Sequence, residues 1–463
     1  MKNRYFDLID QTFDWPVFDL GLDDDNLTIY GLNVNEIVKE FGSPLKVFYL
    51  PKIREQVQNA RNMFQQAIKE IDYNAGYTYC YCTKSSHFSF VLDQVLSENS
   101  HLETSSAFDM FLIDALFKQN KVTKDTFILC NGYKVEEYKQ KISEFLNRGF
   151  NNVIPILDHL EEFDYYDENV NEPFTLGLRI AAEEEPNFSF YTSRLGIRYK
   201  DLKSLYLKKI RPNKKASLKM LHFFINTGIR DTAYYWNELN KCIDVYCDLW
   251  EVCETLDSLD IGGGFPIANS LNFDYDYQYM IKEILSVIKA KCEHRGIPVP
   301  HVFTEFGSYT VAESAFNVFS VLGQKEQNDA EKWYMVNGSF INSMPDVWAI
   351  DQRYILLAAN AWNMEYQRVN LGGLTCDSMD YYNSEAHLNQ IFLPKIPRNQ
   401  PLNLVFLNTG AYQESLSGYG GIKHCLIPAP KIVLIDKDEK GQISQRVFSE
   451  QQAPEPMLSV LGY

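Results

Sequence analysis

The sequence predicts a parallel (β/α)8 barrel followed by an antiparallel β-domain. Three observations carry that expectation. Eight strand-like runs alternate with helix-like stretches over about 230 residues, the rhythm of a parallel barrel. The run Tyr77–Lys84 sets Tyr77, Tyr79 and Tyr81 on one face and Thr78, Cys80, Cys82 and Lys84 on the other. Such a strand suits a barrel wall, with tyrosines packed outward on helices and small residues filling a narrow interior. After about residue 315 the rhythm stops, and short strands between Gly- and Pro-rich turns take over.

The totals agree with an ordinary globular chain. Its 463 residues are enough for two or three domains, with 45% hydrophobic and 23% charged residues. A net charge of -17 argues against binding to a phosphate backbone and favours cationic small molecules, although acidity also serves solubility. Cysteines stand at 80, 82, 130, 242, 247, 253, 292, 376 and 425 without a C-x-x-C pair. That scatter predicts neither a zinc site nor a disulfide framework, and a reducing, cytoplasmic setting. The first residues, MKNRYFDLIDQTFDWP, carry acids and aromatics where a signal peptide needs an apolar run. No apolar stretch has membrane-spanning length, so no membrane partner is expected.

Taken in order, residues 1–40 read as an extended lead-in, and Gly42-Ser43-Pro44 breaks the chain. Leu45–Leu50 follows as a short strand, and Lys52–Ile71 as an amphipathic helix. The barrel strands are expected at 77–83, 101–104, 126–130, 152–157, 174–181, 217–225, 257–261 and 300–305. Helices are expected at 87–97, 107–118, 134–147, 233–255 and 275–291. The barrel is expected over 41–315, with 1–40 and 316–463 forming the β-domain. Strands in that domain are expected at Trp333–Val336, Ile355–Leu357, Leu404–Asn408 and Ile432–Ile435.

Candidate site residues lie just past the barrel strands, where barrel enzymes keep their chemistry. Lys84 ends the first strand pointing inward, where desolvation disfavours its charge and favours a nucleophilic amine. A lone lysine there is otherwise a solvated loop residue. Asp260-Ile261-Gly262-Gly263-Gly264 is a strand entering three glycines, a turn whose N–H groups can approach a phosphate or simply a tight turn. Glu305, in Phe303-Thr304-Glu305-Phe306-Gly307, is a carboxylate at the eighth strand's end. His222, Phe224 and Thr227 stand in the segment that ends the sixth strand, and Arg179 in the one that ends the fifth. The run Glu183–Glu185 reads as a solvated loop. In the β-domain, Cys376 and Asp377 set a thiol beside an acid, Asp346 supplies another acid, and Tyr412 follows a strand. Two carboxylates, Asp346 and Asp377, suit the planar fork of a guanidinium.

Together these residues resemble the fold-type III pyridoxal-phosphate decarboxylases, the ornithine, diaminopimelate and arginine group, from about residue 40 to the end. The family fold is the alanine racemase/ornithine decarboxylase-like pairing of barrel and β-domain. The resemblance implies that Lys84 anchors pyridoxal phosphate covalently and that Glu305 pairs with its pyridine nitrogen. Gly262, Gly263, Gly264, Gly307, Thr227 and Tyr412 surround its phosphate side. Glu103 matches the second-strand acid and Arg179 the fifth-strand arginine. His222 and Phe224 stand at the stacking segment. Cys376 matches the active-site thiol that returns a proton to the substrate's Cα, and the loop bearing it reaches a neighbouring subunit in the family, which implies a homodimer with shared sites. Segments 343–348, 375–378 and 410–414 look most like biosynthetic arginine decarboxylase, which implies arginine to agmatine in polyamine synthesis. Ornithine or lysine comes second, and a neutral ureido analogue stays open. Diaminopimelate is disfavoured, because acids stand where its distal carboxylate wants an arginine. No metal is expected. A non-catalytic relative that binds a partner protein is the rival of a different class; a racemase on a similar barrel is another. Two residues depart from the family pattern: Phe224 replaces the stacking histidine, and Ser308 replaces the arginine of E-P-G-R.

Overall fold

The computed structural model describes residues 4–9, 13–183, 193–386, 388–397 and 399–463. Glu184 and Glu185 of the acidic run therefore lie outside the described residues. Two compact units form: 53–266 with 275–310, and 1–52 with 267–274 and 311–463.

In the first unit, alternation along each strand closes a barrel. Tyr77–Cys82, His101–Thr104, Ile128–Cys130, Val153–Leu157, Phe174–Arg179, Ala216–His222, Ser258–Asp260 and His301–Phe306 pair in chain order, and the last returns to the first with Val302 opposite Tyr77. Every pairing in the ring is parallel. The outward tyrosines behave as their spacing predicts. Tyr77 stacks on Phe64 of the helix Leu50–Glu70, with ring centroids 3.9 Å apart. Inside, Cys80 packs with Leu129, Ile154, Ile156, Met220 and Phe303. The interior is tight at Gly177, where a Cβ would meet Ile156 Cδ1 at 2.5 Å.

Caps set the helix starts around the ring. Ser106, Thr232 and Asp276 each accept a hydrogen bond from the third residue of the helix that follows, at 3.2, 3.2 and 2.9 Å. Gly296 at φ +68° closes the helix Tyr277–Arg295.

The second unit holds a ten-stranded sheet. The expected antiparallel sheet is mixed. Lys431–Lys437 runs parallel to Leu45–Tyr49, and Lys332–Val336 runs parallel to Tyr366–Gly372. The long strand Ala315–Glu326 lies between Leu45–Tyr49 and Lys332–Val336 and pairs antiparallel with both. The lead-in is more structured than an extended segment. Residues 20–33 form three short antiparallel strands, and Val34–Phe41 is a helix. Asn33 accepts from Asn35 N and Glu36 N to start that helix, and Gly42 at φ +83° ends it. Tyr5, Leu20, Leu27 and Val34 share one apolar core with Val47, Leu271, Phe316, Trp362 and Val433. Residues 267–274 pack here through Leu271, and Ala268 O accepts from the Asn408 amide. No helix among the described residues is long and apolar enough to cross a membrane.

Glu385 is buried in this unit, and burial pushes its carboxyl up to about 8. The Tyr5 hydroxyl is pushed well up by burial first and by Glu385 second. Because the folded value exceeds the unfolded one, the folded state holds a proton that the unfolded chain releases between roughly pH 4.5 and 8. Stability from this group is therefore present at low pH and lost as pH rises. We expect the melting temperature to fall by several degrees from about pH 5 to about pH 8. Glu385→Gln should flatten that decline in thermal unfolding followed by circular dichroism.

Candidate active site

Strand ends of the barrel bring five polar side chains into one hydrogen-bonded chain. Lys84 sits in a single helical turn, Thr83–Ser85, one step beyond the strand Tyr77–Cys82. Its Nζ donates to Glu103 Oε2 at 2.5 Å, and Glu103 is fully buried. Asn131, just past the third strand, donates to Glu103 Oε1 at 3.2 Å and to Glu305 Oε1 at 2.6 Å. His222 Nε2 lies 3.1 Å from Glu305 Oε2. Lysine, glutamate, asparagine, glutamate and histidine are thereby joined across the barrel mouth.

Electrostatics separate the two neighbouring carboxyls there. Burial pushes Glu305 up, but His222 beside it and then Lys84 outweigh burial and hold it down at about 2. Asp260 is pushed well up, by burial first and the Glu305 charge second. The two neighbouring carboxyls are thus pushed in opposite directions. His222, Asp260 and Glu305 place ligand atoms within 4.8 Å of one another, a spacing that a cation could also use.

The glycine triplet forms a backbone cradle beside this chain. Gly262 N donates to Asp260 Oδ1 at 2.8 Å. A Cβ on Gly263 would lie 2.0 Å from Glu305 O, so no side chain fits there. Gly264 O accepts from Ile229 N, which brings the turn after the sixth strand against the triplet. In that turn the buried side-chain atoms of Asn226 and Thr227 have no hydrogen-bond partner among the described residues. Phe224 is half-exposed, and the Arg179 guanidinium lies 5.9 Å from its ring centroid. Gly307 abuts the turn bearing Lys84, where a Cβ would meet Ser85 Oγ at 2.0 Å.

The remaining candidates lie in the sheet unit. Gln413 Nε2 donates to Asp346 Oδ2 at 2.8 Å, and burial pushes the Asp346 carboxyl up while Gln413 draws it down. Asp377 Oδ1 accepts from Met379 N at 2.8 Å, and its Oδ2 lies 3.8 Å from His424 Nε2. Tyr412 holds φ +68° at the start of the short helix Gln413–Ser417. Buried Lys46 anchors this stretch by donating to Thr409 O at 2.7 Å and pairing with Glu414. Cys376 is exposed.

Sequence reasoning passed over Asn131, Lys46 and Cys425. Asn131 could have been found by extending the strand-end rule to the third strand. The other two have no local signal.

A family model described as pyridoxal-dependent decarboxylase, pyridoxal binding domain, matches residues 50–312. Among curated relatives, biosynthetic arginine decarboxylase of Vibrio cholerae is 24% identical over 319 residues, covering 63% of this chain and 48% of that protein. The enzyme of the same name from Prochlorococcus marinus strain MIT 9215 is 22% identical over 548 residues, covering 92% and 83%. The chain thus spans about half the length of the Vibrio relative. Among solved structures, the biosynthetic arginine decarboxylase of Campylobacter jejuni superposes with a TM-score of 0.81 at 20% identity, covering 97% of this chain and 90% of that one. Diaminopimelate decarboxylase of M. jannaschii gives 0.78 at 17%, covering 95% and 97%. At these identities the structural likeness establishes the fold.

Asn131→Ala should leave two buried carboxylate oxygens without their shared donor and cost roughly 1–3 kcal/mol. Denaturant unfolding at neutral pH measures this, and Asn131→Asp should be worse because it adds a third acid.

Proposed function

The chain belongs to the pyridoxal-dependent decarboxylase family, and from that premise we propose that it decarboxylates a basic L-amino acid, arginine first, to yield agmatine for polyamine synthesis. The observation that carries this reading is the Lys84–Glu103–Asn131–Glu305–His222 chain beside a glycine cradle.

The residues present fit pyridoxal phosphate. Lys84 offers the amine, and Glu305 offers an ionised buried carboxylate for the pyridine nitrogen. Beside the triplet's backbone, the side chains of Asn226 and Thr227 offer donors that lack protein partners among the described residues. With Ser308 in place of the family's arginine, the phosphate relies on those groups and Tyr412. Phe224 supplies a ring face without a titrating nitrogen. When bound, the cofactor supplies an electron sink for the carbanion that loss of carbon dioxide leaves.

The protein's own work is placement and proton handling. Glu103 positions the Lys84 ammonium and balances its charge. His222 and Asn131 fix the Glu305 carboxylate in one orientation. Cys376 returns a proton to the substrate's Cα as a general acid. Asp346 and Asp377 take the distal guanidinium, and a cation docking on Asp346 offsets the burial that raises its carboxyl. We propose further that the enzyme works in the cytoplasm as a homodimer whose Cys376 loop serves the neighbouring barrel. The names of the similar arginine enzymes support arginine over ornithine and lysine. Acids in the distal position stand against diaminopimelate.

Carbon dioxide release from arginine, ornithine, lysine and diaminopimelate tests the substrate. We expect arginine to lead in kcat/KM by at least about tenfold, near the lower limit that one distal group confers; a lead by any other substrate overturns the choice. Borohydride should trap a cofactor adduct on Lys84 and none in Lys84→Ala. Cys376→Ala should lower kcat by roughly 10²–10⁴-fold with little change in KM.

A further inference from the structure

The thiol of Cys376 does not stand alone. Its Sγ lies 3.6 Å from Sγ of Cys425, 49 residues further along, and both residues are exposed. The other seven cysteines are buried. The short helix Phe340–Ser343 holds both segments in place. At one end, buried Asp380 accepts from Phe340 N at 2.7 Å and from Thr375 N and Oγ1 at 3.0 and 2.7 Å. At the other, Asn342 accepts from His424 N at 3.0 Å and donates to His424 O at 2.9 Å. Thr375 and His424 are the residues immediately before the two cysteines. One helix therefore pins the backbone on the N-terminal side of each thiol, and the sulfurs stay close because the fold sets them so.

We propose that Cys376 and Cys425 are an oxidative modification site that closes into a reversible intrachain disulfide and withdraws the proton donor. The inference rests on the reading of Cys376 as that donor. Closure needs the sulfurs to approach from 3.6 Å to about 2.05 Å. The oxidant is a low-molecular-weight disulfide. One cysteine thiolate attacks a sulfur of that disulfide and expels a small thiolate, which takes up the proton lost by the cysteine. The second cysteine thiolate then attacks the protein sulfur of the mixed disulfide and expels the other small thiol. The protein loses two protons and two electrons, and the small disulfide gains both to become two thiols. The closed form has no S–H at position 376 to deliver to Cα.

The test uses the reduced, cofactor-loaded enzyme treated with hydroxyethyl disulfide, then peptide mapping without reductant. The expected result is a cross-linked pair of peptides containing positions 376 and 425, in a chain that runs as a monomer on a denaturing non-reducing gel. Intact mass falls by about 2 Da, the decarboxylation rate falls more than about tenfold, and dithiothreitol restores both. Cys425→Ser should keep the reduced rate and carry a hydroxyethyl-thiol adduct on Cys376 instead. Separate adducts on both cysteines of the unaltered enzyme, or a cross-link between chains, overturn the proposal. A cross-link that leaves the rate unchanged overturns the claim that the donor is withdrawn. The cross-link is read by mass and needs no turnover. Its absence from an enzyme that decarboxylates arginine sinks this inference alone; its presence in one that decarboxylates none of the four amino acids sinks the functional reading alone.

Discussion

A charged carboxylate buried at the barrel mouth is the constraint that organises the site. Glu305 is almost wholly removed from water, and an unpaired charge there would be too costly to retain. It is tolerated because His222 and Asn131 hydrogen-bond to its two oxygens and Lys84 adds a nearby positive charge. Asn131 ties that arrangement to Glu103, and Glu103 to Lys84. No member of the chain can be considered singly. Closure of the barrel brings them together, since they arrive on strands one, two, three, six and eight.

The same closure explains the glycines. The triplet packs its backbone against Glu305 O and against the turn at Gly228, so approach of main chain to main chain forms the cradle. Small residues thus do one job at two depths. Gly177 lets Ile156 fill the barrel's interior, and Gly263 lets one strand end lie on another at its rim.

Much of this was legible because barrels encode themselves locally. The alternation in Tyr77–Lys84 separated helix-facing tyrosines from interior cysteines, and Phe64 and Cys80 occupy the places it implied. Lys84, Arg179, His222 and Glu305 became candidates because each ends or follows a strand, whereas Glu103 came only from the family resemblance. The helix Val34–Phe41 was missed because its eight residues sit in an aromatic, acidic stretch, and the Asn33 cap was the available signal. The parallel pairings of the sheet unit were hidden for another reason. Which way a strand runs depends on neighbours hundreds of residues away, and nothing in Ile432–Ile435 announces Leu45–Tyr49. Lys46 and Cys425 share that reason: their partners, Glu414 and Cys376, are neighbours in space only.

The strand Leu45–Tyr49 sits between Ala315–Glu326 and Lys431–Lys437. It leaves the ribosome before the whole barrel, while both of its ladder partners are still unmade. Through most of synthesis it has two unpaired edges and displays Leu45, Val47 and Phe48, all fully buried once folding is complete. The nascent chain therefore carries an apolar strand whose two ladder partners follow the whole barrel in synthesis.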